Sequence, residues 1–291
     1  MNKFLERLQA GKTLVADGAT GTNLHTLGLQ PGIAPEVLLF DQPELILKLA
    51  YDFAAAGADI ILTCTFGGTR LRMKDSKYAQ RVTELNTRAV ELVRKAASTH
   101  TEILVAGSIG PTGQLMKPYG PLTPEEACAA FTEQVQGLVE GGVDLLVIET
   151  MFDFNEADAA FQAARTITDL PIVVSFSYDR GVRTVMGVKP AEMIKNYKEM
   201  GAAMVGANCG TSLENMEKVA QEYSAAEPGF PLWIKPNAGL PHMLDGNTIF
   251  DVTPQQMGDF AMKSVTLGAR VVGGCCGNTP AHIAAIARAV H

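Results

Sequence analysis

Three of the five cysteines in this chain stand beside glycines at the ends of apolar segments. Cys209 lies in Gly206-Ala207-Asn208-Cys209-Gly210, and Cys275 and Cys276 lie in Gly273-Gly274-Cys275-Cys276-Gly277. Adjacent residues of a strand point to opposite faces, so the vicinal pair can reach one ion only if the backbone turns, which the glycines permit. Three thiolates suit zinc and leave its fourth tetrahedral position for water or substrate. The pattern predicts a zinc site with one open position.

Such a site favours chemistry on a fourth sulfur. A cysteine-like thiol has a pKa of about 8.5, so only a few per cent is ionised at neutral pH. Coordination to zinc deprotonates a thiol. We therefore expect the site to activate a substrate thiol as a nucleophile, with little need for a separate general base.

Buried packing is the alternative for any single cysteine, because free cysteine behaves as a small hydrophobic residue. Packing is the favoured interpretation for Cys128, in the middle of a predicted helix. For Cys64, near the end of the second predicted strand, packing and a role in the site are both left open. A closed structural zinc site is disfavoured, since no C-x-x-C pair or nearby histidine supplies a fourth donor.

The cysteine segments belong to a repeated pattern of strands and helices. Continuous apolar runs predict eight parallel strands covered on both faces. They are residues 13–19, 60–66, 103–110, 145–151, 172–178, 204–210, 232–238 and 271–277. Four predicted helices end in glycine just before a strand, which is typical of a left-handed helix cap. These joints are Ala56-Gly57, Gly141-Gly142, Met200-Gly201 and Leu267-Gly268.

Eight β-then-α units predict a single α/β domain over residues 1–291, a (β/α)8 TIM barrel. A doubly wound open sheet is the alternative. It is disfavoured because Asp17-Gly18-Ala19-Thr20-Gly21-Thr22, after the first strand, does not fit the phosphate-binding pattern G-x-G-x-x-G. Active sites of TIM barrels form at the C-terminal ends of the strands. The three cysteines follow the sixth and eighth predicted strands, so the barrel predicts that they meet at one rim.

Composition disfavours several function classes. A net charge of −7 without a lysine and arginine cluster argues against a nucleic-acid partner. No apolar run reaches the roughly 18 residues of a membrane span. The N-terminus lacks the plan of a signal peptide, and five cysteines are an odd number, so we expect reduced thiols in a cytoplasmic protein.

Taken together, these motifs resemble the homocysteine S-methyltransferase family over essentially the whole chain. Asp17 to Thr22 is similar to the opening motif of the family, and the two cysteine segments are similar to its zinc-ligand motifs. Further likenesses are Gly107-Ser108-Ile109-Gly110-Pro111, Glu149-Thr150 and Pro236-Asn237-Ala238-Gly239-Leu240-Pro241. The last segment is most similar to the homocysteine-binding module of cobalamin-dependent methionine synthase. The resemblance implies a TIM barrel, zinc, and methyl transfer to homocysteine giving methionine.

The resemblance also implies a methyl donor, methyl-cobalamin on a corrinoid protein or domain. Thr20 stands where the synthase usually has methionine, and Cys64 where its Thr-Asn-Thr-Phe motif has asparagine. These departures leave the donor open. One alternative is a small donor such as S-methylmethionine or a methylated amine, and an alternative of another class is a non-catalytic zinc-binding partner subunit.

The amino-acid end of homocysteine requires its own contacts. The resemblance implies that Asp17 and Glu149, after the first and fourth strands, hold the ammonium, although a lone acid at a strand end can also serve as a loop or cap hydrogen-bond acceptor. Backbone N–H groups around Ala19-Thr20-Gly21, in the turn that Gly18 begins, are expected to receive the carboxylate. Asn237 is a further expected substrate contact.

Three loops are long enough to receive a bulky donor, residues 67–79, 111–123 and 239–253. Within them, Met116, Tyr119 and Met243 are expected either to offer apolar contacts to the donor or to anchor their own loops. His242 is expected to be a solvated loop residue.

Overall fold

A computed structural model describes residues 2–99, 102–244 and 247–291. Eight parallel strands form a ring. They are β1 (Leu14–Val15), β2 (Ile60–Leu62), β3 (Leu104–Ile109), β4 (Leu145–Met151), β5 (Ile172–Phe176), β6 (Met204–Cys209), β7 (Leu232–Pro236) and β10 (Ala269–Val272), while β8 (His242–Leu244) and β9 (Asn247–Ile249) form a separate antiparallel hairpin. Around the ring the order is β1-β10-β7-β6-β5-β4-β3-β2. A parallel bridge between Ala16 and Ile60 joins the first strand to the second and closes the ring.

Helices surround this ring, as expected for a TIM barrel. Five of the described α-helices begin with proline, whose missing N–H costs nothing in the first turn. The glycines at the four helix-to-strand joints have φ between 83° and 99°, which confirms the predicted left-handed caps. The helices are α1 (Lys3–Gln9), α2 (Thr20–Thr26), α3 (Leu38–Asp41), α4 (Pro43–Ala55), α5 (Val82–Ala97), α6 (Pro124–Gly141), α7 (Phe154–Ile167), α8 (Pro190–Glu199), α9 (Leu213–Ala226), α10 (Pro254–Thr266) and α11 (Pro280–Val290), with a short 3-10 helix at Pro35–Val37. Within the described ranges, no helix combines the length and apolar character that a membrane crossing requires.

The barrel interior is apolar at its N-terminal end and polar at the other. Alternate strand residues fill the interior with a small apolar cluster, to which α1 adds Phe4. Helix α1 is fixed there because Asn2 donates to the carbonyl of Asp144 at 2.8 Å and Arg7 pairs with Asp59 at 3.6 Å. The N-terminal end of the barrel is therefore covered, and polar side chains collect at the opposite end.

The predicted TIM barrel is confirmed, but most predicted strands extend too far. The segments predicted to end at residues 19, 66 and 277 leave the sheet after Ala16, Leu62 and Val272. Beyond these points the backbone groups form hydrogen bonds from one loop to another. For example, Gly274 N donates to the Asp17 carbonyl at 3.1 Å. The segments that follow these strands are therefore as apolar in sequence as a strand, but their backbone forms turns. The β8–β9 hairpin was not predicted.

We predict that Gly206→Ala strongly destabilises the barrel. Gly206 pairs with Trp233 across β6 and β7, and a Cβ at Gly206 would lie 1.8 Å from the Trp233 carbonyl oxygen. A main-chain atom cannot rotate away, so the free energy of unfolding should fall by about 3 kcal/mol or more, measured by urea denaturation. Gly21→Ala is the control, since a Cβ there meets no atom within 4 Å. Equal losses in both variants would contradict the prediction.

Candidate metal and substrate site

The thiols of Cys209, Cys275 and Cys276 meet at the C-terminal end of the barrel. Their Sγ atoms all lie within 4.8 Å of one another, and those of Cys209 and Cys275 are 2.7 Å apart. Zn–S bonds of about 2.3 Å in a tetrahedral site place two sulfurs about 3.8 Å apart. Modest side-chain rotations would therefore fit the three sulfurs around one zinc ion.

The backbone at Cys209 takes an uncommon conformation. Its φ is 59°, and within the described ranges Thr150, with φ of 60°, is the only other non-glycine residue in the left-handed region. In the regular alternation of β6, Asn208 points into the barrel and Cys209 would point outward. The left-handed turn brings the thiol to the cavity instead. Such a conformation costs on the order of 1–2 kcal/mol and persists only where the surroundings enforce it.

Asn208 provides part of that enforcement. Its Oδ1 accepts hydrogen bonds from Thr150 N at 2.9 Å and Ser175 Oγ at 2.6 Å, and its Nδ2 donates to Thr150 Oγ1 at 2.6 Å. The same Nδ2 lies 3.6 Å from Cys209 Sγ and 3.7 Å from Cys275 Sγ. One buried amide therefore links the Thr150 turn to two thiols. This role of Asn208 was not predicted, although a polar residue within an apolar strand was a usable signal.

The three thiols share their protons unequally. Hydrogen bonds with Cys209 and Cys275 lower the pKa of Cys276 to about 3. The hydrogen bond with Cys275, then that with Cys276 and burial, raise the pKa of Cys209 well above its ordinary value. The first thiolate forms readily because the other two thiols stabilise it, and the later ones require a cation. This behaviour fits a divalent metal ion.

A cavity of about 520 Å³ opens beside the thiols. The predicted substrate residues Asp17, Gly18, Ala19, Thr20 and Glu149 line it, together with the three cysteines. Ser108, Thr150 and Lys235 contribute further polar groups to its wall.

Asn237 braces the two cysteine loops. Its Nδ2 donates to the Gly210 carbonyl at 2.9 Å, and its Oδ1 accepts from Cys276 N at 3.0 Å. Asn237 is absent from the described residues that line the cavity. Its predicted contact with substrate therefore stays a prediction, while its hydrogen bonds hold the candidate ligand loops together.

Lys235 is the main site residue that the sequence analysis missed. It points into the barrel from β7, and its Nζ donates to Asp17 Oδ1 at 2.8 Å, with the two side chains 4% and 2% exposed. Burial alone would lower the pKa of Lys235, but attraction to Asp17 and Glu149 outweighs it and raises that pKa. Burial raises the pKa of Asp17, and Lys235 opposes the rise. A lysine in the apolar strand Leu-Trp-Ile-Lys-Pro was the available signal.

Glu149 faces the same cavity. Its Oε1 accepts a hydrogen bond from Ser108 Oγ at 2.6 Å. Burial raises the pKa of Glu149 to about 7, against the opposing attraction of Lys235. The described residues donate no hydrogen bond to its Oε2, so this oxygen is available to a cationic group.

Cys64 lines the cavity as a buried, protonated thiol. It is 4% exposed, and burial, followed by the charge of Glu36, raises its pKa well above the ordinary value. Glu36 accepts a hydrogen bond from Gly67 N at 2.5 Å. Cys128 is half-buried and packs against the core from α6, as expected.

We predict that Asn208→Ala lowers zinc affinity by about 10-fold to 100-fold, because the groups that orient metal ligands contribute to affinity on this scale. Competition with a chromophoric chelator measures it. Asn86→Ala is the matched control, since Asn86 is a buried amide that donates to the carbonyls of Gly68 and Val82 and does not contact the thiols. A similar change of zinc affinity in both variants would show that Asn208 has no specific role.

Solved structures resemble this chain over nearly its full length. The metallated form of the homocysteine methyltransferase MmuM from Escherichia coli is 26% identical, with a TM-score of 0.82 and 99% of each chain covered. Its oxidised form gives a TM-score of 0.80, also at 26% identity, covering 98% of this chain and 99% of that one. A methyltransferase from Methanosarcina mazei, 12% identical with a TM-score of 0.59, covers 96% of this chain and 93% of its own and shares the fold.

The sequence profile described as homocysteine S-methyltransferase matches residues 14–290. This range begins with β1, ends in α11 and includes every residue placed around the cavity above. The chain belongs to the homocysteine S-methyltransferase family.

Proposed function

We propose that this protein transfers a methyl group to the sulfur of homocysteine, giving methionine, with zinc held by Cys209, Cys275 and Cys276. The observation that carries the proposal is the convergence of three thiols on a cavity that also contains an available carboxylate oxygen. Membership of the family supports the substrate. The metallated form of the E. coli relative supports a metal.

Zinc held by Cys209, Cys275 and Cys276 would supply a Lewis acid that lowers the pKa of a substrate thiol and so makes its sulfur nucleophilic at neutral pH. The residues of the chain orient the rest of the substrate. The carboxylate of Glu149, held by Ser108, binds the ammonium. The N–H groups of Thr20 and Gly21, in the first turn of α2, bind the carboxylate, because the Ala19 N–H already donates to the Asn278 carbonyl at 3.1 Å. The substrate sulfur then points toward the cysteines, and it forms a bond to the methyl carbon as the donor leaves.

For the donor, we propose a methyl-corrinoid carried by a partner protein or domain. Exposed apolar side chains in loops that follow β3 and β7 support this choice, since such groups are typical of docking surfaces. Tyr119, Leu240 and Met243 are 71%, 60% and 67% exposed. Met116 is 1% exposed and follows the other expectation: it anchors its loop through a bridge to Leu122. His242, 45% exposed, is solvated as expected.

A small methyl donor, such as S-methylmethionine or a methylated amine, is the second candidate. The cavity volume of about 520 Å³ favours it, because this leaves room for a second small molecule beside homocysteine. A cytoplasmic location agrees with either donor, since the proposed site requires reduced thiols.

We predict that homocysteine adds a sulfur to the metal site. X-ray absorption of the zinc-loaded protein should show three sulfur ligands alone and four with saturating homocysteine, because the substrate thiol takes the open position. Homoserine, which has a hydroxyl in place of the thiol, is the control, and the zinc should keep three sulfur ligands in its presence. An unchanged spectrum with homocysteine would favour the non-catalytic zinc-binding subunit.

We predict that the zinc-loaded protein forms methionine from homocysteine and free methylcobalamin, and that Cys276→Ser abolishes this turnover because a thiolate ligand is lost. Cys128→Ser should retain it, since Cys128 lies on α6 away from the cavity. Methionine formation is measured by mass spectrometry. Turnover with S-methylmethionine but not with methylcobalamin would replace the corrinoid donor by a small one.

A further inference from the structure

We propose that Glu149 alone receives the ammonium of the substrate in this chain, and that Lys235 has removed Asp17 from that role. The inference rests on the proposed function. It differs from the expectation, carried by the family resemblance, that Asp17 and Glu149 share the ammonium.

Both oxygens of Asp17 already have partners. Oδ1 accepts from Lys235 Nζ at 2.8 Å, and Oδ2 accepts from the backbone N–H of Leu62 at 2.8 Å. The Asp17 side chain is 2% exposed. A substrate ammonium at Oδ1 would lie against the Lys235 ammonium, and the repulsion between two cations in a poorly solvated site is costly. Asp17 therefore serves as the fixed counter-ion of Lys235.

Glu149 has the opposite arrangement. Only Oε1 accepts a hydrogen bond from the described residues, at 2.6 Å from Ser108 Oγ. Glu149 is 8% exposed and lines the cavity, so its Oε2 is shielded from bulk water yet open to a ligand. An unpaired acceptor in such a position favours a charged donor.

The charges lead to the same assignment. Two carboxylates would place two negative charges beside three thiols, and Lys235 cancels one of them. One ammonium then neutralises the remaining carboxylate. Lys235 is in this sense a positioning residue: it decides which carboxylate the substrate meets. Among the described residues, it is also the only buried lysine or arginine.

The test compares homocysteine with 4-mercaptobutanoate, which keeps the thiol and carboxylate but lacks the ammonium. Titration calorimetry with the zinc-loaded full chain gives both affinities. We expect the wild type to prefer homocysteine by roughly 10-fold to 100-fold, the range of a charge-assisted hydrogen bond. Glu149→Gln should abolish this preference. The double variant Asp17→Asn/Lys235→Met, which replaces the ion pair by a neutral pair, should retain it.

Loss of the preference in the double variant, to the same extent as in Glu149→Gln, would overturn the inference. Zinc content and thermal unfolding establish that each variant is folded. A crystal structure of the wild type with homocysteine tests the same point without substitution. The substrate nitrogen beside Glu149 Oε2, with the Lys235–Asp17 pair intact, supports the inference, and a nitrogen bound to Asp17 overturns it.

Failure of the inference is distinguishable from failure of the proposed function. A wild type that binds homocysteine without preferring it to 4-mercaptobutanoate overturns the inference and leaves methyl transfer to homocysteine standing. A zinc-loaded wild type that binds no homocysteine overturns both the proposed function and the inference that rests on it.

Discussion

Acidic groups concentrated in a small, poorly solvated volume are the constraint on which this site depends. The three thiols of Cys209, Cys275 and Cys276 line the cavity together with the carboxyl groups of Asp17 and Glu149, and Lys235 is paired with Asp17. Such a group cannot ionise fully by itself, because each new negative charge raises the cost of the next. Under the proposed function, a divalent metal ion and a substrate ammonium each bring positive charge to this group, and their binding relieves the repulsion.

The barrel supports this concentration of charge through its main chain. The strand ladder ends where the site begins, and the backbone there enters conformations that an isolated peptide would avoid, as at Cys209 and Thr150. Asn208 and Asn237 fix these turns with side-chain amides that carry no charge. Neutral amides suit this position, because a carboxylate would add to the repulsion and an ammonium would compete with the metal ion.

Much of the fold could be predicted from the sequence because its signals are local. Continuous apolar runs marked eight strands, and glycines marked the helix ends that their left-handed φ values require. The cysteines were recognisable from their glycine neighbours. The partnership of Lys235 and Asp17 was not, because 218 positions separate them and no local pattern encodes their contact. The premature strand ends were missed for a related reason: small and apolar residues suit a strand and a tight turn equally well.

The cover that α1 and Phe4 place over the far end of the barrel has a consequence for access. Apolar side chains fill the interior between that cover and the site, so a ligand reaches the cavity from the C-terminal side of the barrel. Under the proposed function, the amino acid and the methyl donor therefore share one entrance.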